Sequence, residues 1–178
     1  MSQTRPARPR FDLEAVAPGA ESAIGALDTY VAKLSLEPAL LELVRVRASQ
    51  LNGCTYCLDI HTKDARARGE SEQRLYALPA WRESPFFTDR ERAALAWAEA
   101  ITLVSADRVP DAVYAEVRAQ LSEAELAGIL LATLAINAWN RVAISQRLQP
   151  GGYVSPFAPR PARPAATAAA AALEEAGS

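Results

Sequence analysis

The chain has 178 residues, half of them hydrophobic and 22% charged, with a formal net charge of −2. That length allows one domain with a full hydrophobic core, and the near-neutral balance excludes the basic footprint that nucleic-acid binders spread over a surface. Aromatic residues make up only 7% while Ala, Leu and Glu are abundant, so the composition leans helical.

Residues 1–18 are rich in Arg and Pro and show no period, which predicts a flexible arm without a signal-peptide build. Ile24, Leu27, Val31 and Leu34 then fall on one helical face. Pro38 suits the first turn of a second helix, burying Leu40, Leu41, Val44, Ala48 and Leu51 and stopped by Asn52-Gly53. A third helix runs from about Cys54 to Arg68, with Gly69 as its stop. Trp81, Phe86 and Phe87, set among Pro79 and Pro85, read as a connecting loop. Thr88 and Glu91 form a capping box that opens a helix to about Ser105, and Pro110 opens a short one to Gln120. A second capping box, Ser122 with Glu125, leads into a nearly all-apolar stretch that predicts the buried central helix. Its longest apolar run, inside Leu126–Ala138, falls short of the roughly 20 residues that span a bilayer. From Pro150 onward a Pro-rich and then Ala-rich sequence predicts a flexible tail. No strand period, repeat or second domain is visible. The expectation is an all-α, single-domain helical bundle over residues 19–150, between an arm at 1–18 and a tail at 151–178, with no nucleic-acid or membrane partner and a cytoplasmic location.

Both cysteines and the only histidine lie within NGCTYCLDIH, residues 52–61. In a reducing cytosol two cysteines this close point to metal binding or redox chemistry rather than a structural staple. On a helix, Cys57 and His61 fall roughly 300° and 340° round from Cys54, so the three share one narrow face. Cys54 stands at the helix start, where unpaired N–H groups favour a thiolate. His61, one turn after Cys57, can take a proton from that thiol directly or through a water. If the second and third helices fold back about Gly53 as a hairpin, Glu42 arrives near Asp64, about one turn from His61, and a carboxylate there can orient the imidazole and return protons. Three alternatives stand beside this. The cysteines could be plain buried residues. The two thiols and His61, with Glu42 as fourth ligand, could hold zinc. Glu42 could simply pair with Arg45 or Arg47. A thioredoxin-type motif is disfavoured because no βαβ context surrounds the cysteines.

Glu42, Cys54-x-x-Cys57 and His61, with the stretches ELVRVRASQLNGC and AINAWNRVAIS, resemble the signature of the alkylhydroperoxidase D / carboxymuconolactone decarboxylase family over roughly residues 20–150. The resemblance implies an all-helical bundle of about six to seven helices that forms homo-oligomers, and a thiol-dependent peroxidase or disulfide reductase. Cys57 would attack the peroxide and become a sulfenic acid. Cys54 would close the disulfide, and Glu42 with His61 would form the proton relay. Tyr56 and Val44 stand where the best-studied branch has a histidine and a tyrosine, which leaves a simpler relay. The family's lactone decarboxylases lack the cysteine pair, so the chain does not look like one of them. No Gly-rich phosphate loop for a nicotinamide or flavin is present. No cofactor or metal is therefore expected, and an external dithiol donor, a lipoyl domain or a thioredoxin-like protein, is implied as reductant. The competing reading is a non-enzymatic helical protein whose Cys54–Cys57 disulfide controls assembly or a partner contact.

Overall fold

The structure, a computed structural model, describes residues 8–158. Among these residues there is no strand; the elements are α1 (Leu13–Val16), α2 (Ala20–Val31), α3 (Pro38–Asn52), α4 (Thr55–Ala67), α5 (Glu72–Ala77), a 3-10 turn (Leu78–Ala80), α6 (Asp89–Thr102), α7 (Val104–Asp107), α8 (Asp111–Arg118) and α9 (Glu123–Gln146). The all-α, single-domain expectation holds. The helix number exceeds the expected six to seven because α1 and α7 are short segments inside stretches that read as arm and helix end, and α5 falls between the Gly69 stop and the Pro79 loop, outside the expected elements.

The capping chemistry acts where the sequence places it. Thr88 and Ser122 each accept from the third backbone N–H of their helix, while Glu91 and Glu125 reach back to the cap N–H groups. Pro38 occupies the first turn of α3. That helix ends at Gly53, whose φ of 68° is the left-handed conformation glycine adopts without strain. The chain turns there, Cys54 N–H donates to Ser49 O at 3.0 Å, and α4 returns along α3 as the expected hairpin.

Packing follows from burial. Helix α9 lies against α2, α3, α4 and α6, and α3 also packs on α6. The main core joins Leu40, Leu43, Val44 and Val46 of α3 to Leu95 and Ala98 of α6 and Ile129 of α9. A smaller core holds Ala48, Cys54, Cys57, Ile136 and Ala143, with Tyr56, Trp139 and Leu148 against it. Helix α9 is, contrary to the run-length argument, long and apolar enough by length and composition to span a bilayer, with mean hydropathy 1.4. Half of that apolar stretch is buried against the other helices, while Leu134 and Ile144 are exposed, and its buried Thr133, Asn137 and Asn140 carry polar contacts within the bundle. Ile129 has no exposed surface, so Ile129→Ala should lower stability by about 2–5 kcal/mol. Denaturant unfolding should show a lower midpoint at unchanged slope; a loss below about 1 kcal/mol would mean that the core refills the space.

Parts of the expected arm and tail are packed. Arg10 N–H donates to Gln146 O at 2.9 Å and Leu13 N–H to Gln146 Oε1 at 2.7 Å, tying the start of the chain to the end of α9. Asp12 caps α1, so a local cap and a docking contact order a stretch that composition alone reads as free. Beyond α9, residues 151–158 lie along α4 as a strap: Gly151 N–H donates to Asp59 Oδ2, and Ser155 is buried. The remainder of the arm and tail, residues 1–7 and 159–178, lies outside the described residues.

Candidate active site

Cys54 is the N-cap residue of α4, with extended dihedrals, and Cys57 N–H donates to its sulfur at 3.3 Å. Both cysteines are free and buried, and their sulfurs are 2.6 Å apart. The Asn140 amide of α9 lies beside them and bears on both thiols. It is itself fully buried and held by Asn52, which donates to its oxygen at 2.8 Å, and by Ser49, whose hydroxyl accepts from it at 3.1 Å. The hydrogen bond from the Cys57 thiol, with the Cys57 and Tyr56 N–H groups and Asn140 behind it, outweighs burial and holds the Cys54 thiol down at about 7. The bond to Cys54 and then burial push the Cys57 thiol up. The pair therefore gives up one proton near neutrality and resists losing the second.

Glu42 and His61 meet as the hairpin geometry predicts. Glu42 is buried on α3, and its Oε2 lies 2.9 Å from His61 Nδ1 on α4. A carboxylate only accepts, so Nδ1 carries the proton and Nε2 is left for exchange. Arg45 Nη1 donates to the other oxygen of Glu42 at 2.8 Å. Burial pushes the Glu42 carboxyl up, but the hydrogen bond and charge of His61, with Arg45, outweigh it and hold it below the ordinary carboxylate range. The simple pairing weighed for Glu42 is thus half present: Arg45 does pair with it, whereas Arg47 turns to Glu99 at 2.6 Å. Arg45 also reaches Asp28 Oδ1, and Trp139 Nε1 donates to Asp28 Oδ2 at 2.7 Å, fixing the wall of the site opposite α4.

Cys57, His61 and Glu42 open into one pocket of about 630 Å³. Cys54 does not line it. It borders a separate recess of about 270 Å³ with Arg147 and Gln149. The two sulfurs are in contact, as the shared face implies, but Cys57 opens on the space shared with His61 and Cys54 on the recess behind it. The four-ligand zinc arrangement is not assembled. Among the described residues the closely spaced ligand atoms belong to Glu42, His61 and Asp64, within 4.8 Å of one another and without the thiols. Of these Glu42 already holds Arg45, and Asp64 accepts from the Tyr153 hydroxyl at 2.9 and 3.1 Å.

Sequence reasoning missed three residues of this site. Asn140 had a signal, a polar residue amid an apolar helix. Asp64 marked only a position along α4. Tyr153, with its strap, had no local signal.

A CxxC pair at a helix N-terminus, with a Glu–His pair across a hairpin, defines an all-helical dithiol class. Residues 18–100 match the carboxymuconolactone decarboxylase family, and the chain belongs to it. It is 43% identical to the uncharacterized protein YdfG of Bacillus subtilis over 119 residues, 67% of this chain and 81% of that one. A crystal structure from Agrobacterium tumefaciens, of a protein of unknown function described as a putative antioxidant defence protein AhpD, is 38% identical. It superposes with a TM-score of 0.78, over 82% of this chain and 100% of that chain. An uncharacterized peroxidase-related protein from Silicibacter is 26% identical with a TM-score of 0.67, over 76% of this chain and 73% of that one.

Proposed function

We propose that the protein is a thiol-dependent peroxidase that reduces hydroperoxides with its CxxC pair. The observation that carries this reading is a single pocket lined by Cys57, His61 and Glu42 together, beside a second thiol held down at about 7. The relatives described as peroxidase-related and as a putative antioxidant defence protein support it.

The chemistry runs in three balanced steps. Cys57 thiolate attacks the outer oxygen of ROOH, the O–O bond breaks, and Cys57 becomes a sulfenic acid while the leaving alkoxide takes a proton through His61. Cys54 then attacks the sulfenic sulfur and water leaves, giving the Cys54–Cys57 disulfide. An external dithiol returns two electrons and two protons by thiol–disulfide exchange, becoming a cyclic disulfide itself. That donor is a lipoyl domain or a thioredoxin-like protein, and the working form is a homo-oligomer.

Turnover of alkyl hydroperoxides and hydrogen peroxide with dihydrolipoamide should be catalytic and should cease when the pair is alkylated. Oxidation of the pair by peroxide without turnover by any dithiol would instead favour the redox-responsive structural protein. Light scattering that gives a monomer at micromolar concentration would overturn the oligomer.

A further inference from the structure

The strap that follows α9 is held onto α4 at successive points. Gly151 N–H donates to Asp59 Oδ2 at 2.9 Å, Lys63 Nζ to Tyr153 O at 2.9 Å, and the Tyr153 hydroxyl to Asp64. Ser155 is buried, and its hydroxyl accepts from Phe157 N–H at 3.2 Å. These contacts set the Phe157 ring against the Arg68 guanidinium, 3.5 Å from the ring centroid. Phe157 thereby becomes a wall of the pocket that holds Cys57 and His61.

The rest of that wall says what it can hold. Tyr56, Ile60, Trp139 and Leu148 add apolar surface to that of Phe157. The pocket's volume of about 630 Å³ is some twenty times the roughly 30 Å³ that a water molecule takes up in the liquid. Hydrogen peroxide, a molecule near that size, would leave most of it filled with solvent. Glu21, Asp28, Glu42 and Asp64 face only Arg45 and Arg68 around the same space, so the balance is acidic and disfavours an anionic occupant. An apolar, uncharged body fits both facts.

We infer, on the peroxidase reading above, that the strap 151–157 positions one specificity-determining wall residue of this site, Phe157, and that Phe157 selects neutral hydroperoxides with an aromatic or branched apolar body over hydrogen peroxide. The strap belongs to the recognition of the leaving group RO⁻, while the sulfur chemistry stays with α4. Tyr153 is a positioning residue: its bond to Asp64 ties the strap to the helix that carries Cys57 and His61.

The test is a single-turnover measurement of thiol oxidation by cumene hydroperoxide and by hydrogen peroxide, on wild type, Phe157→Ala and Tyr153→Phe. The wild type should favour cumene hydroperoxide. Phe157→Ala should lower the ratio of the two rate constants by about tenfold, as expected for losing part of an apolar contact. Tyr153→Phe should lower it less. An unchanged ratio in Phe157→Ala, or a wild-type preference for hydrogen peroxide, overturns the inference. Binding of 2-phenyl-2-propanol, the alcohol formed from cumene hydroperoxide, supplies a readout free of turnover. It should saturate in the wild type and weaken about tenfold in Phe157→Ala. If that binding behaves as expected while neither peroxide oxidises the pair, the peroxidase reading fails and the strap's selection of apolar bodies stands. If both peroxides oxidise the pair and the binding ignores Phe157, the strap assignment alone fails.

Discussion

Cys57→Ser should abolish both sulfenic acid formation and turnover, whereas Cys54→Ser should react once with peroxide and then stall as the sulfenic acid or over-oxidise. The two thiols pull in different directions here. Cys54 is the one held down at about 7, by the Cys57 thiol, the N–H groups of the first turn and Asn140. Acidity alone would make it the nucleophile. Position argues the other way. Cys57 lines the pocket shared with His61 and Glu42, and Cys54 lines the recess behind it. Nucleophilicity also falls as a thiolate becomes more stable. With the sulfurs 2.6 Å apart, one negative charge serves the pair. When Cys57 attacks from the pocket side, the Cys54 thiolate can take its proton or wait to resolve the sulfenic acid. Trapping the sulfenic acid in each variant and locating the adduct by mass spectrometry distinguishes the roles. An adduct on Cys54 in the Cys57→Ser protein would reverse them.

The legible parts of this site were those set by short-range geometry. Offsets of three and four along a helix bring Cys57 and His61 to one face whatever the tertiary fold. The Asn52-Gly53 stop made the α3–α4 hairpin predictable, and a hairpin fixes which residues on its two arms can meet, so Glu42 was found from His61. The misses are of two kinds. Helix α5 lies between the Gly69 stop and the Pro79 loop, a stretch without helical period and outside the expected elements, yet Ser71 caps it by accepting from Arg74 N–H. The Tyr153–Asp64 contact spans 89 positions of sequence, and no periodicity reports a pairing of that range. A Pro-rich composition correctly excluded regular helix from the strap, but it did not exclude docking. Arg47 was an assignable partner for Glu42 by spacing alone. It pairs with Glu99 because the buried Glu99 also draws Trp81 Nε1, at 2.8 Å, and Arg82 into one network.

His61→Gln should slow formation of the Cys57 sulfenic acid by roughly 10²–10⁴-fold near pH 7, the range that a general base commonly contributes. The deficit should narrow toward pH 9. The sign does not come from the Cys54 thiol, which is held down at about 7 by the Cys57 thiol, backbone N–H groups and Asn140 and titrates alike in both proteins. It comes from Cys57, whose thiol is pushed up by its bond to Cys54 and by burial and so needs a base to form thiolate at neutral pH. What the variant loses is the imidazole Nε2, which takes the proton from the Cys57 thiol and delivers it to the leaving oxygen. Solvent and hydroxide replace that service more easily as pH rises. Glu42→Gln separates charge from orientation. An amide oxygen can still accept from His61 Nδ1–H, keeping the ring in place, but it removes the buried negative charge that stabilises an imidazolium. Its effect should run in the same direction and be smaller. Arg45 would then lose its ion-pair partner in Glu42 but keep Asp28 at 3.4 Å, so the wall should stay intact. A metal centre predicts otherwise: both variants would lose a bound ion, and a chelator would inactivate the wild type. The measurement is sulfenic acid formation against pH for the three proteins, with metal analysis on the same samples. Superimposable profiles would return Glu42 and His61 to a purely structural role.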